Sequence, residues 1–360
     1  MEFGLSEEQV MLQQSVGRFL EDAGGLAQTR ALAASGARRT PDLVTGLSEL
    51  GVMGLITPES QGGTGLSLLE AALVAEQLGA HVSPTPFIGT AILAPLALQL
   101  AGSPGQQGLW LPRLAAGQVT AGLALSEQAG GREDAGLEGR NGILNGRALF
   151  VIDYEADLYV VADTAGRLYL VPATAPGLVR TDLTTIDVSR PTGELRFTGV
   201  VAEPLAGAGP DLVQRLLDVA RLLFAADTLG AAQAMLDQAV AYASSREQFG
   251  RPIGSFQAVK HMCAEMAAAL EPCRAMVWYG AHALDHLPSE AHVTACHTKA
   301  HVSEVGTFVA RTATEVHGGM GFTDLVGLHY WFKRIGLNRQ MLGGPQALRD
   351  EAARATGLVS

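Results

Sequence analysis

Cysteine is scarce: Cys263, Cys273 and Cys296 are the thiols of a 360-residue chain, an odd number without a CxxC pair. A disulfide framework or a cysteine zinc site therefore has little support, and reduced, packed thiols are expected. Positive charge is short as well. The 25 Lys and Arg against 36 Asp and Glu leave a formal net charge of −11, which argues against nucleic acid or an anionic lipid surface as partner, since both require a basic face. No basic, apolar, small-residue leader opens the sequence, and the apolar run near Leu66 is broken by Glu70 and Glu76 before it could span a bilayer. A soluble, cytoplasmic protein with no membrane partner is expected. Charged residues amount to 17% against 48% hydrophobic, a balance that excludes disorder and favours tightly packed helices with surface to bury in an oligomer. The length allows two or three packed regions.

Ser6 followed by Gln9 makes a capping box, after which Leu12, Val16, Phe19 and Leu20 mark one helical face. The Leu50–Ser67 stretch, with Pro58 and five glycines, forms an irregular loop, and helical patterns follow over 67–79, 86–101 and 105–116. Residues 1–119 thus read as an all-helical domain. From Thr120 the period changes to short β-type runs at 122–125, 149–153, 158–161, 168–171 and 195–201, which predicts a compact β domain over 120–206. Ala206–Pro210 reads as a hinge. Beyond it, long helical patterns at 211–245, 255–286 and 289–317 and a shorter one at 325–335 fill a third domain, 207–360.

One stretch of the third domain carries chemistry: Arg246-Glu247-Gln248-Phe249-Gly250-Arg251-Pro252-Ile253-Gly254-Ser255-Phe256-Gln257. Gly250, Pro252 and Gly254 punctuate a turn, and Ser255 is placed to cap the next helix. A glycine-containing turn feeding a helix N-terminus, with Arg246 and Arg251 beside it, suits a diphosphate. The same residues would equally make an ordinary interhelical turn with two solvated arginines. His282/His286 and His297/His301 sit at i,i+4, but neither pair has a third ligand in a recognised pattern, so no metal is expected.

Taken together, the helical–β–helical order, the Leu50–Ser67 loop, the arginine turn and Glu315-Val316-His317-Gly318-Gly319-Met320-Gly321-Phe322-Thr323 resemble the flavin-dependent acyl-CoA dehydrogenases. The resemblance spans nearly the whole chain. It implies an α+β fold with an N-terminal all-α domain, a middle β-barrel-like domain and a C-terminal four-helix bundle. In that family the arginine turn reaches across a dimer interface to the FAD of the neighbouring subunit. Carried over, Arg246, Gln248 and Phe249 would hold the diphosphate and adenine side of FAD, with Gln257, Gly318 and Gly319 adjacent. Glu315 stands where the family usually has glutamine.

The ring side departs further from the family pattern. Ser126-Glu127-Gln128 and Phe150-Val151-Ile152 occupy the stretches that contact the isoalloxazine in relatives; Ser126 keeps a hydroxyl, Ile152 has none, and Phe150 and Ile152 read as filling the β core. Aligning Gly343 and Gln346 with the family's usual base turn puts Leu342 at the base position, and leucine takes no proton. The second place where relatives carry the base corresponds to Ala220-Arg221. Asp218 and Asp227 flank it and read as solvated-face residues turned away from that point. His329 and Asp324 are the best polar substitutes.

The chain therefore looks like the base-lacking subunit of the bacterial heteromeric acyl-CoA dehydrogenases that act on CoA thioesters of steroid side chains. Implied partners are an acyl-CoA thioester, a homologous subunit or a second copy of this chain, and electron-transfer flavoprotein as electron acceptor. The alternatives are a self-sufficient homotetramer with an unrecognised base, or a non-catalytic scaffold on this fold.

Overall fold

The computed structural model describes residues 4–37 and 40–359. The chain opens with α1 (Glu7–Asp22), started by the expected capping box: Ser6 Oγ accepts from Gln9 N–H at 3.3 Å and Gln9 Oε1 from Ser6 N–H at 2.9 Å. Two short helices that the apolar period does not announce follow, α2 (Gly25–Ser35) and α3 (Pro41–Glu49). After the 50–67 loop, α4 (Leu68–Ala80) and later α6 (Pro104–Ala115) start on the same device, Ser67 with Glu70 and Ser103 with Gln106. Between them lies a widened π turn, Ile88–Leu93, that runs into α5 (Ala94–Ala101). Two groups explain the widening. Pro95 has no N–H to return to the preceding turn, and Gly89 gives its own N–H to Asp153 Oδ2 at 2.6 Å.

The middle of the chain is all but helix-free and holds two four-stranded sheets. One runs β1 (Ala121–Ala124), β4 (Leu158–Ala162), β5 (Leu168–Pro172), β8 (Glu203–Pro204), with β1 and β4 parallel. The other runs β2 (Gly136–Arg140), β3 (Ile143–Val151), β7 (Thr192–Val201), β6 (Leu178–Leu183), antiparallel throughout. A one-turn helix, α7 (Ser126–Ala129), follows β1. β4 shows why its sequence, LYVVA, is apolar on both sides: Leu158, Val160 and Ala162 enter the main helical core, while Tyr159 and Val161 enter the core between the sheets. The Ala206–Pro210 link is packed, with Gly207 N–H donating to Ala101 O at 3.2 Å.

From Pro210 the chain is helical again: α8 (Pro210–Ser245), a ribbon of β9 (Glu247–Gln248) and β10 (Arg251–Pro252), α9 (Gln257–His286), α10 (Pro288–His317), α11 (Leu328–Gln340) and α12 (Pro345–Ala355). By length and composition α8 is apolar enough to cross a membrane, yet it is mostly buried inside the protein, against α4, α9 and α10. Its approach to α4 is backbone to backbone. A Cβ on Gly79 would lie 1.9 Å from Asp227 O, and one on Gly230 would lie 1.8 Å from Glu76 O, so each helix leaves the other room by carrying glycine at the crossing.

Candidate functional site

The residues expected at the diphosphate side come together at one end of the C-terminal helices. In the β9–β10 ribbon, Phe249 (φ 54°) and Gly250 (φ 73°) are both left-handed. Two positive φ values in a two-residue connection make a type I′ turn, which a twisted ribbon favours and a non-glycine residue adopts at a steric cost. The turn holds Phe249 out in solvent, 93% exposed. Arg251 sits 4.0 Å over the Phe256 ring, and Phe249 meets the same ring edge-on at 6.2 Å. Gln248 Nε2 donates to Glu247 O at 2.7 Å.

Arg246 is exposed. Ser255 does not cap α9: it lies in a 3-10 turn, and the cap position falls on Phe256, which has no acceptor. The first-turn amides of α9 therefore carry no side-chain cap, and Gln257 stands exposed at that helix start. α10 ends in the exposed Gly318 (φ 57°) and Gly319. The two helix ends are pinned side by side, since His317 of α10 stacks on Tyr242 of α8 with ring centroids 4.6 Å apart. Glu315, on the last turn of α10, is exposed. An exposed guanidinium, uncapped amides and a glycine pair at one helix-bundle end fit a diphosphate.

The ring-side residues lie elsewhere, in the β region, and their polar groups are already engaged. Ser126 is buried and its hydroxyl donates to Phe150 O at 3.0 Å. Ile152 exchanges both main-chain bonds with Leu123, each 2.9 Å. Phe150 (φ 49°) lies under the Arg132 guanidinium at 4.9 Å. Contrary to the sequence expectation, Ile152 and Phe150 pack with the helical core and not with the core between the sheets. The reason is positional: Phe150 sits in the bulge at the end of β3 and Ile152 just after it, where the chain turns toward β1.

At the expected base position, Leu342 (φ 56°) is buried and its carbonyl accepts from Arg221 Nε at 3.1 Å. Arg221 is the centre of a closed cluster. Its fork takes Glu351 through two bonds of 2.9 Å, Asp218 at 3.1 Å and the Cys296 thiol at 3.6 Å. Burial works against the Arg221 charge, but the Glu351 bonds hold its pKa above the ordinary value. His292 is raised by its bond to Asp218, at 3.1 Å. Asp218, His292 and Cys296 bring ligand-type atoms within 4.8 Å of one another. The guanidinium already stands there as the cation, and burial pushes the Cys296 thiol up to about 12, so the group is an ion-pair cluster.

The expectation of solvated Asp218 and Asp227 is corrected: both are buried, because α8 is enclosed on nearly every side. Asp227 is a second hub. Oδ2 accepts from Arg190 at 2.8 Å and Arg334 at 3.3 Å, and Oδ1 from Asn338 at 2.6 Å. Arg334 also donates to Ser83 O at 2.6 Å and to Ser189 Oγ at 3.2 Å. Lys299, which no local pattern singles out, is buried with Nζ donating to Asn338 O at 2.6 Å; burial pushes it down to about 7.

His329 and Asp324 do pair, Nε2 to Oδ1 at 3.5 Å, beside Arg30 of α2, which donates to Asp324 O. Burial lowers His329. His282, His286, His297 and His301 are exposed. Glu351, the main partner of Arg221, lies 130 positions away in sequence. The one signal that could have pointed to this cluster is the i,i+3 pair Asp218–Arg221.

Residues 6–118 match the family "Acyl-CoA dehydrogenase, N-terminal domain", and residues 207–357 match "Acyl-CoA dehydrogenase, C-terminal domain". The acyl-CoA dehydrogenase IpdE2 of Mycobacterium tuberculosis is 32% identical over 342 residues, covering 94% of each chain. Among solved structures, the ChsE4-ChsE5 complex from Mycobacterium tuberculosis superposes with a TM-score of 0.91 at 27% identity, covering all of both chains. A Tcur3481-Tcur3483 steroid ACAD superposes at 0.89 with 30% identity, covering 98% of each.

Proposed function

The chain belongs to the acyl-CoA dehydrogenase family, and from that premise we propose that it is the subunit of a heteromeric enzyme that supplies the diphosphate side of an FAD site and leaves the catalytic base to its partner. The family is flavin-dependent, and bound FAD supplies the hydride acceptor for α,β-dehydrogenation of a CoA thioester. The observation that carries the reading is the turn at Leu342. Its side chain has no proton acceptor, its carbonyl is tied to Arg221, and the carboxylates gathered there, Asp218 and Glu351, are paired to the same guanidinium.

Within such an assembly Arg246 would pair with the diphosphate, Phe249 would lay its face against the adenine, and the backbone at Gly318 and Gly319 would approach the phosphates closely. Gln248 and Gln257 would add side-chain amide bonds at the rim. Ser126 would donate nothing to the ring unless it released Phe150 O. Likeness to IpdE2 and to a steroid ACAD supports a steroid-derived CoA thioester as substrate and a homologous base-bearing chain as partner, with electron-transfer flavoprotein as electron acceptor.

The test is to co-express the chain with a homologous base-bearing subunit and count flavin in the purified assembly. Half as many flavins as chains are expected. Arg246→Ala should leave assembly intact and weaken FAD retention at least about tenfold, the effect of one lost charge-assisted contact. Full flavin occupancy in a well-assembled Arg246→Ala variant would refute the clamp. Bleaching of flavin by acyl-CoA thioesters with this chain alone would establish the self-sufficient homotetramer instead.

A further inference from the structure

The C-terminal helix α12 is held to the protein by a small apolar contact and by polar ties. Its buried residues Leu348 and Ala352 meet Cys296 and Ala300 of α10 in a cluster apart from the main helical core. At the surface, Arg349 Nη1 donates to Glu304 of α10 at 2.8 Å. The polar tie to α8 is Glu351, whose two oxygens take the Arg221 fork at 2.9 Å each. The same guanidinium holds Leu342 O at 3.1 Å, so the turn before α12 and the helix itself share one anchor.

His292 of α10 completes this anchor. It is half-buried, and its two ring nitrogens face two different carboxylates. Nδ1 lies 3.1 Å from both oxygens of Asp218 on α8, and Nε2 lies 3.6 Å from Glu351 Oε1 on α12. Carboxylates only accept, and a neutral imidazole has one N–H. Either neutral tautomer would turn a lone pair on one of the carboxylates, whereas the imidazolium donates to both. Gln214 Nε2 of α8, 3.2 Å from Nδ1, could donate to a bare Nδ1, but both Asp218 oxygens would still face that lone pair.

The charges close in the same way. Asp218 and Glu351 are both paired to Arg221, and Cys296, pushed up to about 12 by burial, stays neutral. Protonated His292 balances the second carboxylate; neutral His292 leaves it in excess beneath α12. Among the described residues no charged side chain of α9 or α11 pairs with His292.

We propose that His292 is a pH-released pin: protonated, it ties α12 to α8 and α10, and on losing its proton it lets α12 loosen, together with the turn at Leu342. The inference stands on this cluster and is independent of the flavin assignment. The bond to Asp218 raises the His292 pKa. The pin is therefore fully in place below the ordinary histidine value of about 6.5 and is lost as the pH climbs through the raised one.

Hydrogen exchange of the full chain, in the assembly in which it purifies, followed by mass spectrometry at about pH 6 and about pH 8.5, tests this. Exchange chemistry itself speeds up with pH, so the α12 segment is compared with α4 in the same sample. Relative to α4, α12 should lose at least about fivefold in protection between the two values, the scale of one hydrogen bond. His292→Gln does not titrate, so its α12 should be loose at both values with an unchanged ratio. Glu351→Gln removes the carboxylate that a bare Nε2 would face and should shrink the fall to under about twofold; it decides alone if His292→Gln does not fold. A wild-type ratio that stays constant, or a fall as large in either variant as in the wild type, would overturn the proposal.

Discussion

Lys299 is buried beneath the last turn of α11, where its Nζ meets the carbonyls of Asn338 and Arg339 at 2.6 and 3.4 Å. Those carbonyls are the negative end of the helix, so the ammonium caps it and steadies the turn that leads to Leu342. Burial nevertheless pushes Lys299 down to about 7, while the unfolded residue titrates near about 10.4. Between those values the unfolded chain holds the proton more tightly than the folded one, so this group's contribution to stability rises with pH across that window. Relative to Lys299→Met, the wild type should gain roughly 3 kcal/mol between about pH 6.5 and pH 9.5, measured by denaturant unfolding of both at the two values. A difference independent of pH would mean that the carbonyls keep the ammonium at its ordinary pKa.

Among the elements, α8 shows both what a sequence reveals and what it withholds. Its length and its limits at both ends were readable from the apolar period, and the capping box that starts α1 from Ser6 and Gln9. The fate of its carboxylates was not, since Asp218 and Asp227 look like surface residues until the helix is known to be enclosed. Their partners Glu351, Arg190 and Arg334 come from remote segments. β6 was invisible for the opposite reason: its middle residues are exposed and polar, and it is a strand because β7 offers it an edge. The arginine turn was legible as a turn, but not as a type I′ ribbon with a phenylalanine in the left-handed position. Asp227→Ala should expose how much the hub holds. It leaves Arg190 and Arg334 buried without their carboxylate, which costs roughly 3–5 kcal/mol, and chemical denaturation of the variant should show a loss of that size. A loss under about 1 kcal/mol would mean that solvent or Asp187 takes over.

As a whole molecule, the chain keeps an apolar surplus on its C-terminal helices and their connecting turns, where Val240, Phe249, Tyr279, Phe308, Phe322, Leu325 and Phe332 are exposed. A surface of that kind is normally covered by a partner. The isolated chain should therefore self-associate or retain flavin poorly in sedimentation velocity runs, and a stable monomer that binds FAD tightly would contradict this. The reciprocal glycine crossing of α4 and α8 has a different kind of consequence, for how the chain can diverge. A side chain added at Gly79 or Gly230 collides with the main chain of the other helix, and no substitution elsewhere shortens a main chain. Neither position can drift, alone or together, and a gene in which the two ends are inherited from different ancestors needs a glycine at each from its own parent.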